Sequence, residues 1–277
     1  EALFQRAITA DPGNAVVLGN YSLFRTALRK DHEQMDELYR RAIEADPGNP
    51  LTLGGYATFL SDVRKLDDQA DKAFNRALAA FPDHAPTIAA YARFLARTRQ
   101  DHDGAETLFQ RALAADPGNS TILCDYGVFA WTIRGDDPRA EAFLQKAIEA
   151  DPLAAAPRGA YAAYLLERGY TEKGLALLDE AIPGLPGETL LRALFLKYAH
   201  GKSDDARAEA LLGIHDLLER WIRCPNFDRS REIRCLGEIG HPQPDLLAAL
   251  IRVIAARDDM DVLDRFPAWT SVARQKP

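Results

Sequence analysis

Apolar residues recur along most of the chain with the spacing of an α-helix. In Ile88–Arg99 they fall at i, i+3, i+4 and i+7, which places them on one face of a helix. The segment from Asp103 to about Ala115 repeats this pattern after a short polar break. Asp-Pro-Gly-Asn at 116–119 then ends the second helix, because proline cannot continue it, glycine adopts a turn and asparagine can cap the next helix.

The same two-helix pattern returns at a fixed interval. The stretch AETLFQRALAADPGN at 105–119 has close variants at 1–14, 36–49, 71–84 and 141–154. The marker prolines, which lie 35 residues apart, are Pro12, Pro47, Pro82, Pro117 and Pro152. A fixed period of this size predicts an all-α array of helix–turn–helix units, because one hairpin cannot bury both apolar faces and a stacked neighbour covers them.

The repeat resembles the tetratricopeptide repeat family. The opening bulky positions are Leu18, Leu53, Ile88 and Leu123, and the large-small pairs begin at Tyr21, Tyr56, Tyr91, Tyr126 and Tyr161. The first alanine position of helix B is taken by Ala70, Ala105 and Ala140, with Met35 in the first repeat. The aromatic position of helix B is taken by Tyr39, Phe74 and Phe109, with Leu144 as a replacement, and Ala42, Ala77, Ala112 and Ala147 precede the prolines. The period exceeds the family's usual 34 by one residue, which we expect between the helices. The resemblance implies a tetratricopeptide-like right-handed α-solenoid that makes protein contacts.

The repeats predict two regions. Residues 1–186 form the array: an orphan helix B at 1–14, then repeats at 15–49, 50–84, 85–119, 120–154 and 155–186. Residues 187–277 lack the repeat signature and read as a helical C-terminal cap. We expect a hairpin of Glu188–His200 and a helix from Ser203 to about Arg223, followed by a helix from Pro244 to about Ala256 and a short helix at Met260–Phe266.

In the family, the first helix of each repeat, helix A, lines a concave groove. The groove candidates beside the tyrosines are mostly small: Gly19, Asn20, Gly54, Gly55, Ala89, Ala90, Gly159 and Ala160. Cys124 and Asp125 break this series, and Arg93 is a further candidate. Small residues admit a partner helix or an extended peptide closely. They also permit tight packing of the A helices, and the two interpretations can coexist. The family's clamp for a C-terminal carboxylate is not predicted, because only Asn20 matches it.

Two groups of arginines are candidate binding sites. The first, the arginine ladder, repeats at the ends of the A helices and consists of Arg29, Arg64, Arg99, Arg134 and Arg168. It is either a site for an anion or acidic peptide, or a structural feature pairing with helix ends and with Asp31, Asp101 and Asp136; we favour the structural role. The second group lies in the cap and includes Arg223, Arg229, Arg231 and Arg234. It is either a docking site for an acidic surface or RNA, or a solvated loop, which we favour.

No sequence motif indicates catalysis, a cofactor or a metal. Phosphate-binding glycine loops and hydrolase motifs are absent. Cys224, Cys235, His215 and His241 lack the paired spacing of a zinc site. Three cysteines in the whole chain fit a reducing compartment, so we expect a cytoplasmic protein.

The charge and hydropathy of the chain limit the classes of partner that it is expected to bind. The net charge of −7 arises in residues 1–186, because residues 187–277 hold 14 basic and 14 acidic residues. Nucleic acid is therefore an unfavourable main partner. We expect no membrane span and no secretory signal. Glu1 aligns with Glu106, so we expect the chain to be a fragment of a longer protein that lacks a first helix A.

These features predict a non-catalytic scaffold that binds a protein or peptide. One alternative is a regulatory or sensor arm of a larger enzyme. A weaker alternative is an RNA-associated helical repeat protein.

Overall fold

The computed structural model describes residues 1–28, 32–224, 240–256 and 258–274. All regular elements in these ranges are helices, and none of the described residues forms a strand. The prediction of an all-α fold is confirmed. The residues fall into two units, 1–140 and 141–277, each with its own internal packing. None of the described helices combines the length and apolar composition that crossing a bilayer requires.

The first unit consists of helical hairpins that follow the 35-residue period. Its elements are α1 (Ala2–Ala10), α2 (Ala15–Leu28), α3 (His32–Ala45), α4 (Pro50–Asp62), α5 (Asp67–Ala80), α6 (Ala85–Phe94), α7 (His102–Ala115) and α8 (Ser120–Phe129), followed by the start of α9 (Asp137–Ala150). The A helices α2, α4, α6 and α8 pack side by side in that order. Asn49 and Asn119 cap the A helices that follow them, because their side-chain oxygens accept from the N–H groups of Thr52 and Ile122.

The residue that lengthens the repeat lies at the end of helix A rather than in the loop after it. Helix α6 continues as a π-helical turn, Leu95–Arg99, and α8 as Ala130–Arg134. Such a turn holds one residue more than an α-helical turn. A residue in the left-handed region then reverses the chain, at Gln100 (φ 57°) and Gly135 (φ 65°). In these two repeats the extra residue therefore widens the last turn of helix A and leaves the loop short.

Aromatic triads fill the hairpins of the first unit. In one of them Tyr91 stacks on Phe74 with ring centroids 5.0 Å apart, and Phe94 lies 5.5 Å from Phe74. Equivalent triads contain Tyr21, Tyr56 and Tyr126. Each tyrosine is thus a packing residue, as the period of the pattern predicted.

The second unit contains the remainder of α9, the hairpin α10 (Ala155–Glu167) and α11 (Thr171–Ala181), and the C-terminal helices. These are α12 (Gly187–His200), α13 (Asp204–Glu219), α14 (Pro244–Ile254) and α15 (Pro267–Ala273), with 3₁₀ turns at Ile182–Gly184 and Met260–Leu263. Ser203 caps α13 as expected, by accepting from the N–H of Ala206. Helices α12 to α15 share one apolar cluster, in which Trp269 is almost fully buried.

Two expectations for the C-terminal region differ from the structure. Helix α13 ends at Glu219 rather than near Arg223, because Trp221 adopts a left-handed backbone (φ 60°) that stops the helix. The final helix is α15, whereas Met260–Phe266 contains only a 3₁₀ turn, since Pro267 suits the first position of a helix. The division into an array at 1–186 and a cap at 187–277 stays a prediction.

Candidate functional site

The two small residues beside each tyrosine lie in different environments. Gly19, Gly54 and Ala89 are buried where one A helix meets the next. A Cβ on Gly19 would lie 2.7 Å from Thr52 Oγ1, and a Cβ on Gly54 would lie 2.8 Å from Oγ1 of the next threonine in the repeat. Because such distances are shorter than van der Waals contact, these glycines permit the helices to approach closely. This is the packing role that the sequence allowed.

The second residue of each pair is accessible. Asn20 is exposed, whereas Gly55, Ala90 and Asp125 are partly exposed. These four positions, which lie 35 residues apart on adjacent helices α2, α4, α6 and α8, form what we call the A-helix row. The row belongs entirely to residues 1–140. Its accessible, mostly small side chains leave room for another chain to lie along the helices.

Charged side chains of α6 and α8 meet at one end of this row. Arg93 Nη1 lies 3.3 Å from Asp125 Oδ2. Burial raises the pKa of the Asp125 carboxyl, and Arg93 and Arg97 oppose this shift. Burial also raises the pKa of the neighbouring Cys124 thiol to about 12. This cysteine is therefore protonated and unreactive at neutral pH. The end of the row therefore presents a carboxylate and guanidinium groups to a ligand.

Two members of the arginine ladder, Arg99 and Arg134, form ion pairs within the protein. Arg99 Nη2 lies 2.6 Å from Asp68 and 3.6 Å from Asp71. Arg134 Nη2 makes the equivalent contacts, 2.6 Å to Asp103 and 2.8 Å to Glu106. Both arginines therefore join the end of one A helix to the start of helix B in the preceding repeat. These partners replace Asp101 and Asp136, whose side chains instead accept from backbone N–H groups at the starts of α7 and α9.

The guanidinium groups of the ladder also lie over aromatic rings. Arg99 is 5.5 Å from the centroid of Phe94, and Arg168 is 5.6 Å from that of Tyr164. Arg29 and Asp31 lie outside the described residues. These contacts favour the structural role of the ladder over a binding role.

Two further sets of repeating contacts were not predicted from the sequence. The hydroxyl of each repeat tyrosine reaches a carboxylate 20 residues earlier, as in Tyr91 to Asp71 at 2.5 Å and Tyr56 to Asp36 at 2.8 Å. Arginines in helix B donate to the carbonyl of the marker proline of the preceding repeat, as Arg76 does to Pro47 at 3.0 Å. Both sets recur every 35 residues in the sequence, and that period was the signal that could have identified them.

The arginine candidates of the C-terminal region are only partly described. Arg223 Nη1 donates to the carbonyls of Leu218 at 2.8 Å and Ile222 at 3.1 Å, and its guanidinium lies 5.7 Å from the ring centroid of Trp221. Burial lowers its pKa. Arg229, Arg231 and Arg234 lie outside the described residues. Their role in binding therefore stays a prediction.

The residues considered for zinc occupy separate packing sites. Cys224 is buried and its thiol donates to the carbonyl of Glu188 at 3.3 Å. His215 packs on Trp269 and His241 packs on Tyr198, while Cys235 lies outside the described residues. In the described part of the chain, one set of three potential ligands is close together: His215, Asp216 and Glu219. All three lie on one turn of α13, without a donor from a second element, and we assign no metal to them.

Comparisons with known proteins bear on the fold. No family model and no curated protein matches the sequence. Among solved structures, PilF of Pseudomonas aeruginosa is 18% identical with a TM-score of 0.53, over 74% of this chain and 94% of that chain. TTC0263, a thermophilic tetratricopeptide repeat protein of Thermus thermophilus, is 18% identical with a TM-score of 0.56, over 73% of this chain and 99% of that chain.

A third similar structure is the human IFIT1 dimer with m7Gppp-AAAA. It is 17% identical with a TM-score of 0.64, over 99% of this chain and 66% of that chain. Identities this low show a shared fold and nothing about ligands. The hairpins, their period and these similarities together show that the chain has a tetratricopeptide-repeat-like fold.

Proposed function

We propose that the chain is a non-catalytic scaffold that binds an extended peptide segment of a partner protein along the A-helix row. The observation that carries this proposal is the accessible row itself, which places Asn20, Gly55, Ala90 and Asp125 side by side on adjacent helices. The buried glycines below it bring the helices close together, so the row is continuous through α2, α4, α6 and α8.

The charged end of the row supports a polar peptide ligand. A peptide backbone offers N–H donors and carbonyl acceptors, which suit the Asp125 carboxylate and the Arg93 guanidinium, respectively. Because burial disfavours the charged Asp125 carboxylate, a donor from a partner would stabilise it. Arg93 and Asp125 would therefore fix the position of a peptide whose remaining contacts are with small side chains.

The proposal can be tested with peptides selected from a random library for binding to the full chain. Fluorescence anisotropy would then compare wild type with Asn20→Trp, which fills an exposed position of the row, and with Asp125→Asn. We expect Asn20→Trp to weaken binding about 10-fold or more, since loss of a packed contact of over 1.4 kcal/mol corresponds to that factor. Asp125→Asn should weaken it roughly 3- to 10-fold, in line with a charged hydrogen bond at a partly exposed site.

The control is Lys72→Trp, an equally bulky change at an exposed position of helix α5. It should leave both the circular dichroism spectrum and peptide affinity unchanged. If Lys72→Trp weakens binding as much as Asn20→Trp does, or if neither row variant has an effect, the A-helix row is not the binding surface.

A further inference from the structure

An open cavity of about 740 Å³ lies in residues 141–277, where α10 and α12 end and α11 begins. Its described lining comes from 166–169, Thr171, 199–202, Arg207 and 240–242. A cavity of this volume is in the range of small-molecule sites. It is separate from the A-helix row, and the inference drawn from it does not depend on the proposed function.

The charged side chains of the lining are mainly basic. Arg168, Lys202 and Arg207 face one acidic residue, Glu167. Lys202 contacts the Glu172 carboxylate at 2.8 Å, and Arg207 contacts Asp204 at 2.5 Å.

These two carboxylates are almost fully exposed, with side-chain accessibilities of 87% for Glu172 and 97% for Asp204. Ion pairs with such exposed partners contribute little, because water screens them. An anion inside the cavity would therefore compete well for Lys202 and Arg207.

The N-terminus of α11 adds backbone donors to the lining. Tyr170 precedes the helix without a side-chain capping bond, and the first helical bond runs from the N–H of Gly174 to the Tyr170 carbonyl. The N–H groups of Thr171, Glu172 and Lys173 thus have no partner within the helix, and this end of the helix favours negative charge.

The helix C-termini at the cavity are better satisfied. The last carbonyls of α10 accept from the N–H groups of residues 168, 169 and 170. The Gly201 carbonyl, which follows α12, accepts from Arg207 Nη1 at 2.6 Å. The negative ends of these two helices therefore oppose an anion less than unpaired ends would.

His200 supplies an independent sign of a ligand. Its side chain lines the cavity and the residue is only 8% exposed, yet its ring nitrogens have no hydrogen-bond partner among the described residues. Neither ring nitrogen is among the fully enclosed unpaired atoms of the described residues, so the ring is open to a ligand in the cavity. Burial and the nearby His241 lower its pKa to about 4, so at neutral pH the ring is uncharged and offers one N–H donor.

We propose that this cavity binds a phosphate group, with Arg168, Lys202, the N-terminus of α11 and His200 as its donors. A phosphate dianion suits the site better than a carboxylate, because two cationic side chains and several N–H donors match its charge and its three terminal oxygens. The group is either free, carried by a small molecule or attached to a phosphorylated side chain; all three share this recognition chemistry.

The first experiment is isothermal titration calorimetry of the full chain with inorganic phosphate at pH 7.5 and low salt. The expected result is binding that Lys202→Gln and Arg168→Gln each weaken roughly 2- to 5-fold, because both residues are exposed and water screens their charge. Lys72→Gln is the matched control, because it removes the same charge from an exposed residue outside the cavity, and it should have no effect. Equal weakening by Lys72→Gln, or no binding by wild type, would overturn the proposal.

A second series identifies the class of anion and its source. Citrate and acetate compare carboxylates with phosphate, and a phosphoserine peptide is compared with its unmodified form. Tighter binding of phosphoserine peptide than of the unmodified peptide indicates a phosphorylated protein as the source. Binding of inorganic phosphate without any preference for the phosphopeptide indicates a small molecule. If carboxylates bind as tightly as phosphate and respond to the same substitutions, phosphate recognition is excluded.

The role of His200 has its own readout, which uses sulfate because sulfate stays a dianion from pH 7.5 to pH 5. An anion beside His200 favours the charged imidazole, whereas burial and His241 disfavour it. Sulfate should therefore bind several-fold more tightly at pH 5 than at pH 7.5. His200→Gln should remove that pH dependence. An unchanged pH dependence in this variant would contradict the placement of the anion beside His200.

Discussion

The interaction of Tyr91 with the preceding helix offers the most direct test of the repeat packing. Its ring stacks on Phe74 at 5.0 Å and lies 6.1 Å from Phe94, and its hydroxyl donates to Asp71 at 2.5 Å. Tyr91→Ala removes both the ring and the hydroxyl, whereas Tyr91→Phe removes the hydroxyl alone. The two substitutions therefore separate the packing contribution from the hydrogen bond.

The expected losses follow from these contacts. Truncation of a large buried aromatic costs about 3–5 kcal/mol, and Tyr91 is partly exposed, so we expect about 3 kcal/mol for Tyr91→Ala. For Tyr91→Phe we expect about 1 kcal/mol, the usual net value of a hydrogen bond. Tyr170→Phe is the control, because this tyrosine is 61% exposed and should lose less than about 0.5 kcal/mol.

Urea denaturation followed by circular dichroism would measure these free energies, with a common slope confirming that the same surface unfolds. A loss below about 1 kcal/mol for Tyr91→Ala would show that the ring does not pack as described. A Tyr91→Phe value equal to that of Tyr170→Phe would refute the contribution of the Asp71 hydrogen bond.

The environment of the Tyr91 hydroxyl should also make the stability of the folded protein depend on pH. Burial, followed by the hydrogen bond to Asp71, raises the pKa of Tyr91 to about 12. Because the folded protein favours the neutral phenol, this stabilisation is complete below pH 10 and is lost as pH rises towards 12. Burial raises the pKa of Tyr198 to about 12 as well, so absorbance titration of Tyr91→Phe should show one tyrosine fewer in this range than wild type, with Tyr198 retained.

Three further outcomes test the packing and the buried histidine. Gly54→Ala should lower the free energy of unfolding by about 1–3 kcal/mol in urea denaturation, because its Cβ would lie 2.8 Å from Thr87 Oγ1. Gly118→Ala is the control and should be nearly neutral, because a Cβ at Gly118 would have no neighbour within 4 Å. Deletion of 187–277 should expose the apolar cluster that α10 and α11 share with α12 and cause aggregation in light scattering; a soluble, cooperatively melting product would contradict the cap prediction. His200, with a pKa near 4 in the folded protein, should contribute stability above pH 6.5 that is lost as pH falls towards 4, and His200→Gln should lack this change.

The repeating part of the fold was predictable because one physical arrangement recurs five times in the sequence. Each marker proline follows a helix B, and each tyrosine fills the same place between two helices. A period also reveals contacts between repeats, such as the carboxylate 20 residues before each tyrosine. The position of the extra residue was not predictable in this way, because a π-helical turn and a longer loop give the same period.

The cavity was not predictable because its lining has no period. It combines residues from the end of α10, the turn after α12 and the segment before α14, which are distant in sequence. Their proximity depends on how the C-terminal helices pack, and hydrophobic periodicity predicts the helices without predicting that packing. Arg168 illustrates the limit: the sequence shows it as a member of the ladder, and the structure also places it in this lining.

Repetition itself helps to separate structural from functional charge in this protein. Arg99 and Arg134 make the same contacts in successive repeats, and a role that every repeat needs is a role in joining repeats. Asp125 has no acidic equivalent at Asn20, Gly55 or Ala90, and Lys202 and His200 lie outside the repeat pattern. The packing of the array does not explain a charged or imidazole side chain that occurs at one location alone. Binding is therefore best sought at Asp125 and at the cavity, where the periodic pattern is interrupted.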